Sequence, residues 1–273
     1  MLPYLLNTGP DGVQRPLALS HRGFSVDGLE NSMVAFEAAV DLGFGYLEID
    51  VRTSQDGVVM VFHDELLDRV CDAQGPLAER TLDELDKVRI NGVEPIPTLE
   101  AVLTRWPDLK LNIDLKDDAS VEPFVRLVER LGAHDRVLVA SFSDRRRRRT
   151  LNLLSRPVAS SAGQVSSALI WLLSPLGLTK RLARLTRVDC LQLPIQHAGV
   201  TVMTDRFIRR CRAAGLPVHV WTVNETDAME QLLTLGGGVD GLVSDRADRL
   251  AETMRHRGQW PQTASPKGSG KAP

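Results

Sequence analysis

Short apolar runs alternate with longer amphipathic ones along almost the whole chain, and this alternation restricts the possible folds more than any other feature. Residues 17–20, 45–51, 110–115, 136–142, 189–193, 216–223 and 239–243 read as strands, with 157–160 as a weaker one. Helical periodicity fills 32–42, 98–105, 121–131, 144–154, 205–214, 226–235 and 246–255, the first of these capped by Asn31 or Ser32. Strands that alternate with helices make a parallel sheet. Eight such units in 273 residues predict an α/β fold closed into a (β/α)8 TIM barrel, for which about 250 residues suffice. One domain over 1–257 is the expected count.

Two stretches break the repeat. Residues 64–97 lack periodicity and carry turn pairs such as Gly75-Pro76 and Asn91-Gly92, so they read as an insertion after the run that ends at His63. A run Val58 to Phe62 lies just before it, after an Asp56-Gly57 turn. Residues 166–187 are strongly apolar over 168–173 and then basic at Lys180, Arg181 and Arg184. A helix buried on the barrel and an interfacial membrane segment fit this stretch equally. From 258 onward, and most clearly over 262–273, Ser, Gly, Lys and Pro predict a disordered tail.

Charge and cysteine content narrow the partners. Lys+Arg is 33 against 35 Asp+Glu, a formal net charge of −2, which argues against nucleic-acid binding. The five arginines 145–149 read as a solvated helix face. Cys71, Cys190 and Cys211 have no close spacing, so neither a disulfide framework nor a zinc site is expected. Residues 1–6 have no basic n-region and read as no secretory signal. No run approaches the roughly 20 apolar residues of a membrane span. A cytoplasmic protein is expected, with peripheral membrane contact through 166–184 left open.

In a barrel of this kind, polar groups at the C-terminal strand ends build the active site. His21 and Arg22 end the first strand, Glu48 and Asp50 the second, and His63 and Asp64 the adjacent run. Asp114 and Lys116 end the third strand, and Trp221, Asn224 and Asp245 follow near the seventh and eighth. Carboxylates two residues apart share one face of a strand. Glu48, Asp50 and Asp114 offer oxygen ligands to Ca²⁺ or Mg²⁺. Arg22 and Lys116 suit phosphate oxygens. Two histidines suit a displacement that needs a base and an acid.

The ordered motifs from about residue 17 to about 250 carry a resemblance. They are His21-Arg22-Gly23, Glu30-Asn31-Ser32, Glu48-Ile49-Asp50-Val51, and Thr53 to His63-Asp64 with Asp56-Gly57 between. Ile96-Pro97-Thr98-Leu99, Asn112-Ile113-Asp114-Leu115-Lys116, Trp221-Thr222-Val223-Asn224 and Asp240 to Asp245 complete the series. The chain resembles the glycerophosphodiester phosphodiesterase family. That resemblance implies a TIM barrel with a small insertion after the second strand. It also implies metal-dependent hydrolysis of glycerophosphodiesters to glycerol 3-phosphate and an alcohol. His21 and His63 would be the acid–base pair, and Glu48, Asp50 and Asp114 the metal ligands. Arg22 and Lys116 would bind phosphate, and Trp221 would line the glycerol side. Asp114 stands where the family more often has Glu, and Ser32 where Thr is commoner. Hydrolysis of lysophospholipids at a membrane and a catalytically silent binding barrel are the alternatives.

Overall fold

The computed structural model describes residues 2–9, 11–25 and 27–260. Eight parallel strands form its centre: β1 (Leu17–His21), β2 (Tyr46–Thr53), β3 (Lys110–Leu115), β4 (Val137–Ala140), β5 (Ala159–Ser160), β6 (Leu191–Leu193), β7 (Val218–Val220) and β8 (Gly241–Ser244). Their spatial order is β5-β4-β3-β2-β1-β8-β7-β6. A parallel bridge from Ser161 to Cys190 joins the two ends, backed by Ala162 N donating to Cys190 O at 3.1 Å. The sheet is therefore the closed (β/α)8 barrel that the alternation predicts.

Nine helices of the described residues surround it: α1 (Met33–Leu42), α2 (Leu99–Arg105), α3 (Val121–Leu131), α4 (Asp144–Leu153), α5 (Gln164–Leu173), α6 (Thr179–Thr186), α7 (Asp205–Ala214), α8 (Thr226–Leu232) and α9 (Ala247–His256). The hydroxyls of Ser32, Thr98, Ser143 and Thr204 accept the free amides of Ala35, Ala101, Arg146 and Phe207 in the first turns of α1, α2, α4 and α7.

Strand alternation sorts the core into two layers. Ala18, Leu47, Ile49, Leu111, Ile113, Val137 and Val139 face outward into the helix layer. Leu17, Leu19, Tyr46, Leu138 and Ala140 face inward. The same period of two carries His21 on from Leu17 and Leu19, and Glu48 and Asp50 on from Tyr46. The polar groups thus continue the inward face toward the C-terminal mouth.

Opposite that mouth, the N-terminal segment closes the barrel, which the sequence did not reveal. A 3₁₀ turn, Pro3–Leu5, buries Tyr4 and Leu5 among the inward residues. Lys110 Nζ donates to Pro3 O, Leu6 O and Tyr46 Oη, each at 2.9 Å.

The run before the insertion is Val59–Val61, paired antiparallel with the upper part of β2 rather than joining the barrel. Gly57 turns the chain between them at φ 85°. Within 64–97 lie a short helix, Leu82–Leu85, with a Thr81/Glu84 capping box, and a hairpin of Arg89–Ile90 with Glu94–Pro95. Met60, Phe62, Leu67, Leu77, Leu85, Val88, Ile90 and Ile96 give this excursion its own apolar cluster.

Two expectations need correction. Arg147, read as part of a solvated face, is fully buried. Its guanidinium donates to Thr186 O at 2.6 Å and Arg187 O at 2.7 Å, satisfying carbonyls at the end of α6. The tail expected from 258 includes Trp260, which packs edge-on against Phe44 and donates to Leu42 O. The rest of that tail lies outside the described residues. No helix among the described residues is long and apolar enough to cross a membrane.

Candidate active site

The His21-Arg22-Gly23 turn sets the site's geometry. Arg22 and Gly23 both take positive φ, 55° and 84°. A Cβ on Gly23 would lie 2.7 Å from the Ala35 backbone, so only glycine lets the turn press against α1. The turn is held by Arg22 N donating to Glu48 O and Asn31 N donating to Arg22 O, each at 2.8 Å. It sends the Arg22 side chain back over β2, with Nε 2.9 Å from Asp50 Oδ2 and Nη1 2.9 Å from Glu30 Oε1.

Neighbouring strands bring the carboxylates together. Asp50 on β2 stands in register with Asp114 on β3, and Glu48 with Asn112. Lys116 Nζ bridges the first pair, 2.8 Å from Asp50 Oδ1 and 2.7 Å from Asp114 Oδ2. Asn31 Nδ2 donates to Asp50 Oδ2 at 3.0 Å. Burial would push Asp50 up, but Lys116 and Arg22 outweigh it and hold the carboxyl below its usual range. Burial raises Asp114 despite Lys116. Glu48 is pushed up to about 7 by burial and by Asp50.

Each histidine has its own carboxylate. His21 Nδ1 lies 2.5 Å from Asp245 Oδ1, leaving Nε2 directed at Glu48 Oε2, 3.5 Å away. Burial drives the His21 imidazole toward neutrality, but Glu48 and Asp245 outweigh it and raise its pKa. Asn224 fixes Asp245: its Nδ2 donates to Asp245 Oδ2 at 2.8 Å while its Oδ1 accepts from Asp245 N and Ser244 Oγ. His63 Nδ1 lies 2.6 Å from Asp64 Oδ1, and its carbonyl accepts from Arg52 Nε. Arg69, from the insertion, pairs with Asp64 and with Glu30, which in turn pairs with Arg22. A continuous ionic chain thus runs from His63 through Asp64, Arg69, Glu30, Arg22, Asp50 and Lys116 to Asp114.

All of the residues singled out in the sequence stand at or around this mouth. Trp221 follows β7 and meets the half-exposed Phe142 ring edge-on, at 6.0 Å between centroids. Lys116 Nζ lies 5.6 Å over that Phe142 ring. The partners Arg69 and Phe142 were not anticipated. Arg69 lies on no periodic face and leaves no local signal, whereas Phe142 extends the inward period of Leu138 and Ala140 beyond the end of β4.

The carboxylates fit a hard cation in donor type. Glu48 Oε2, Asn112 Oδ1 and Asp114 Oδ1 are buried oxygens without a hydrogen-bond partner among the described residues. As positioned, no three His, Cys, Asp or Glu side chains of the described residues form a ready metal site, and Lys116 occupies the space between Asp50 and Asp114.

A barrel mouth with two carboxylate-held histidines, clustered acids and two cations is that of a hydrolase for anionic esters. Residues 21–249 match the glycerophosphoryl diester phosphodiesterase family, and the chain belongs to that family and is an enzyme of this kind. A Mycobacterium tuberculosis relative named "probable glycerophosphodiester phosphodiesterase 2" is 44% identical over 89% of this chain and 92% of its own. A glycerophosphodiester phosphodiesterase of Caldanaerobacter subterraneus is 27% identical over 89% of this chain and all of its own. Among solved structures, an Oleispira antarctica phosphodiesterase in complex with the product sn-glycerol-3-phosphate shares the fold. Its TM-score is 0.73 at 22% identity, over 88% of this chain and 97% of that one.

Proposed function

We propose that this chain hydrolyses glycerophosphodiesters to glycerol 3-phosphate and an alcohol, with a divalent cation and with His21 and His63 as the acid–base pair. The observation that carries this reading is the pair of histidines, each with Nδ1 on its own carboxylate and both beside one acid–cation cluster. Nδ1 is occupied by Asp245 or Asp64, so Nε2 is the atom left to exchange a proton with substrate.

One histidine takes the proton of the attacking oxygen, either from water or from the neighbouring glycerol hydroxyl; in the second case a cyclic phosphate forms first, and water then opens it to glycerol 3-phosphate. A new P–O bond forms as the bond to the leaving alcohol breaks, and the other histidine gives that alcohol its proton. Arg22 and Lys116 bind the non-bridging phosphate oxygens. Trp221 and Phe142 offer an apolar wall to the glycerol carbons. Glu48, Asp50 and Asp114 would hold Ca²⁺ or Mg²⁺, whose charge would stabilise the phosphate in the transition state.

The test is release of glycerol 3-phosphate from glycerophosphocholine, before and after chelation and after return of each metal. Rate lost on chelation and restored by metal is expected. A full rate after chelation would remove the metal from the reading. Calorimetric binding without turnover, metal present, would replace catalysis by a silent binding barrel.

A further inference from the structure

Helix α5 buries Ile170 against the core but turns apolar side chains outward as well. Ser166 and Ser167 are buried, and Ser166 is satisfied by Asp144. Val165, Leu169 and Leu172 share the outer face and are 65%, 40% and 63% exposed. Leu176, in the turn that follows, is 69% exposed, and Leu185 on α6 is 63% exposed. Barrel helices ordinarily show water a polar face.

Charge frames this apolar stripe. Residues 144–187 hold ten Lys and Arg against one Asp, a net +9 within a chain of net −2. Helices α4 and α6 pack against α5. Arg148 on α4 and Lys180, Arg181 and Arg184 on α6 are exposed, and none has a carboxylate partner among the described residues. Between the ends of α4, α6 and α7, Arg156, Lys180, Arg184 and Arg187, with Asp189, line a cavity of about 770 Å³ that also includes Leu151 and Leu154. One end of the stripe reaches the active-site rim, where Gln164 N donates to Phe142 O at 2.9 Å.

We infer that the α5–α6 face docks on an anionic lipid bilayer. Exposed leucines enter the acyl boundary while the flanking cations meet lipid phosphates. A second copy of the chain is a poor occupant, because two like faces of this charge repel. Docking would set the catalytic rim beside the lipid surface, but the docking itself does not depend on the proposed reaction.

The experiment is co-sedimentation of the full chain with sucrose-loaded vesicles of phosphatidylcholine, alone or with about 30% phosphatidylglycerol. Binding to the anionic vesicles at least about tenfold tighter than to the neutral ones, and weakened by salt, is expected. The pair L169E/L172E should weaken that binding at least about tenfold, and so should R148S/K180S/R184S. Thermal melting and turnover of water-soluble glycerophosphocholine without vesicles should stay at the parent's values in both. Absence of parent binding, or equal binding by L169E/L172E, would overturn the inference. Concentration-dependent dimers abolished by L169E/L172E would also overturn it, assigning the face to a second copy. Binding is read without turnover, so failure of the proposed reaction leaves this test intact.

Discussion

Replacing Asp245 by Asn probes how His21 is held. The carboxylate lies 2.5 Å from His21 Nδ1, and a hydrogen bond to a charged acceptor contributes roughly 1.5–3 kcal/mol. Asp245 is half exposed, so the lower figure applies, about tenfold in rate. The larger effect is on the proton's position. Asn224 Oδ1 is committed to Asp245 N and Ser244 Oγ, so its Nδ2 must face residue 245. The new amide then turns its oxygen to Asn224 and its NH₂ to His21 Nδ1. That opposes the imidazolium and places the neutral ring's proton on Nε2, the wrong tautomer for a base. Losing both the bond and the tautomer should lower kcat by at least about 100-fold, with KM moving little. The assay is coupled release of glycerol 3-phosphate for the parent, D245N, H21A and the double variant. D245N should add almost nothing once His21 is gone. A D245N enzyme within threefold of the parent, or losses that multiply in the double variant, would refute the positioning role.

Other outcomes follow from the same structure. R147A empties the space of a fully buried side chain and leaves the Thr186 and Arg187 carbonyls without their donor, and should cost about 3 kcal/mol in urea unfolding, whereas replacing the exposed Arg148 should cost under about 0.5. Burial pushes the His219 imidazole down to about 4. The unfolded chain takes up that proton below about 6.5 and the folded chain does not, so stability falls by about 3 kcal/mol as pH drops from about 6.5 to about 4. Urea midpoints of H219L should lack that part of the slope, and an unchanged slope would contradict it. G23A places a Cβ 2.7 Å from the Ala35 backbone at a positive φ, so it should cost at least about 1 kcal/mol in stability and lower kcat by displacing Arg22.

The barrel was legible because strands buried on both faces leave apolar runs, and eight of them alternate with helices. The groups of the mouth were legible because His21, Glu48, Asp50 and Asp114 extend the inward-facing period of their strands. Their partners were not. Arg69 reaches Asp64 and Glu30 only through the fold of the insertion, a long-range arrangement without a local pattern. Five consecutive arginines gave no sign that one, Arg147, turns under α6. The ion pairs of Lys116 were equally hidden: its ammonium bridges Asp50 and Asp114 because the β2–β3 register sets those acids side by side. The N-terminal plug was read only as an apolar run without a leader's features, since its binding to Tyr46 and Lys110 spans the whole barrel floor.

The most direct measurement of the two-histidine centre is single-turnover release of glycerol 3-phosphate by H21A and H63A, each with saturating metal and a parent-like thermal melt. Loss of at least about 100-fold in both variants is expected, with substrate binding retained by calorimetry. A folded variant of either histidine that keeps its rate within tenfold of the parent would contradict the acid–base assignment.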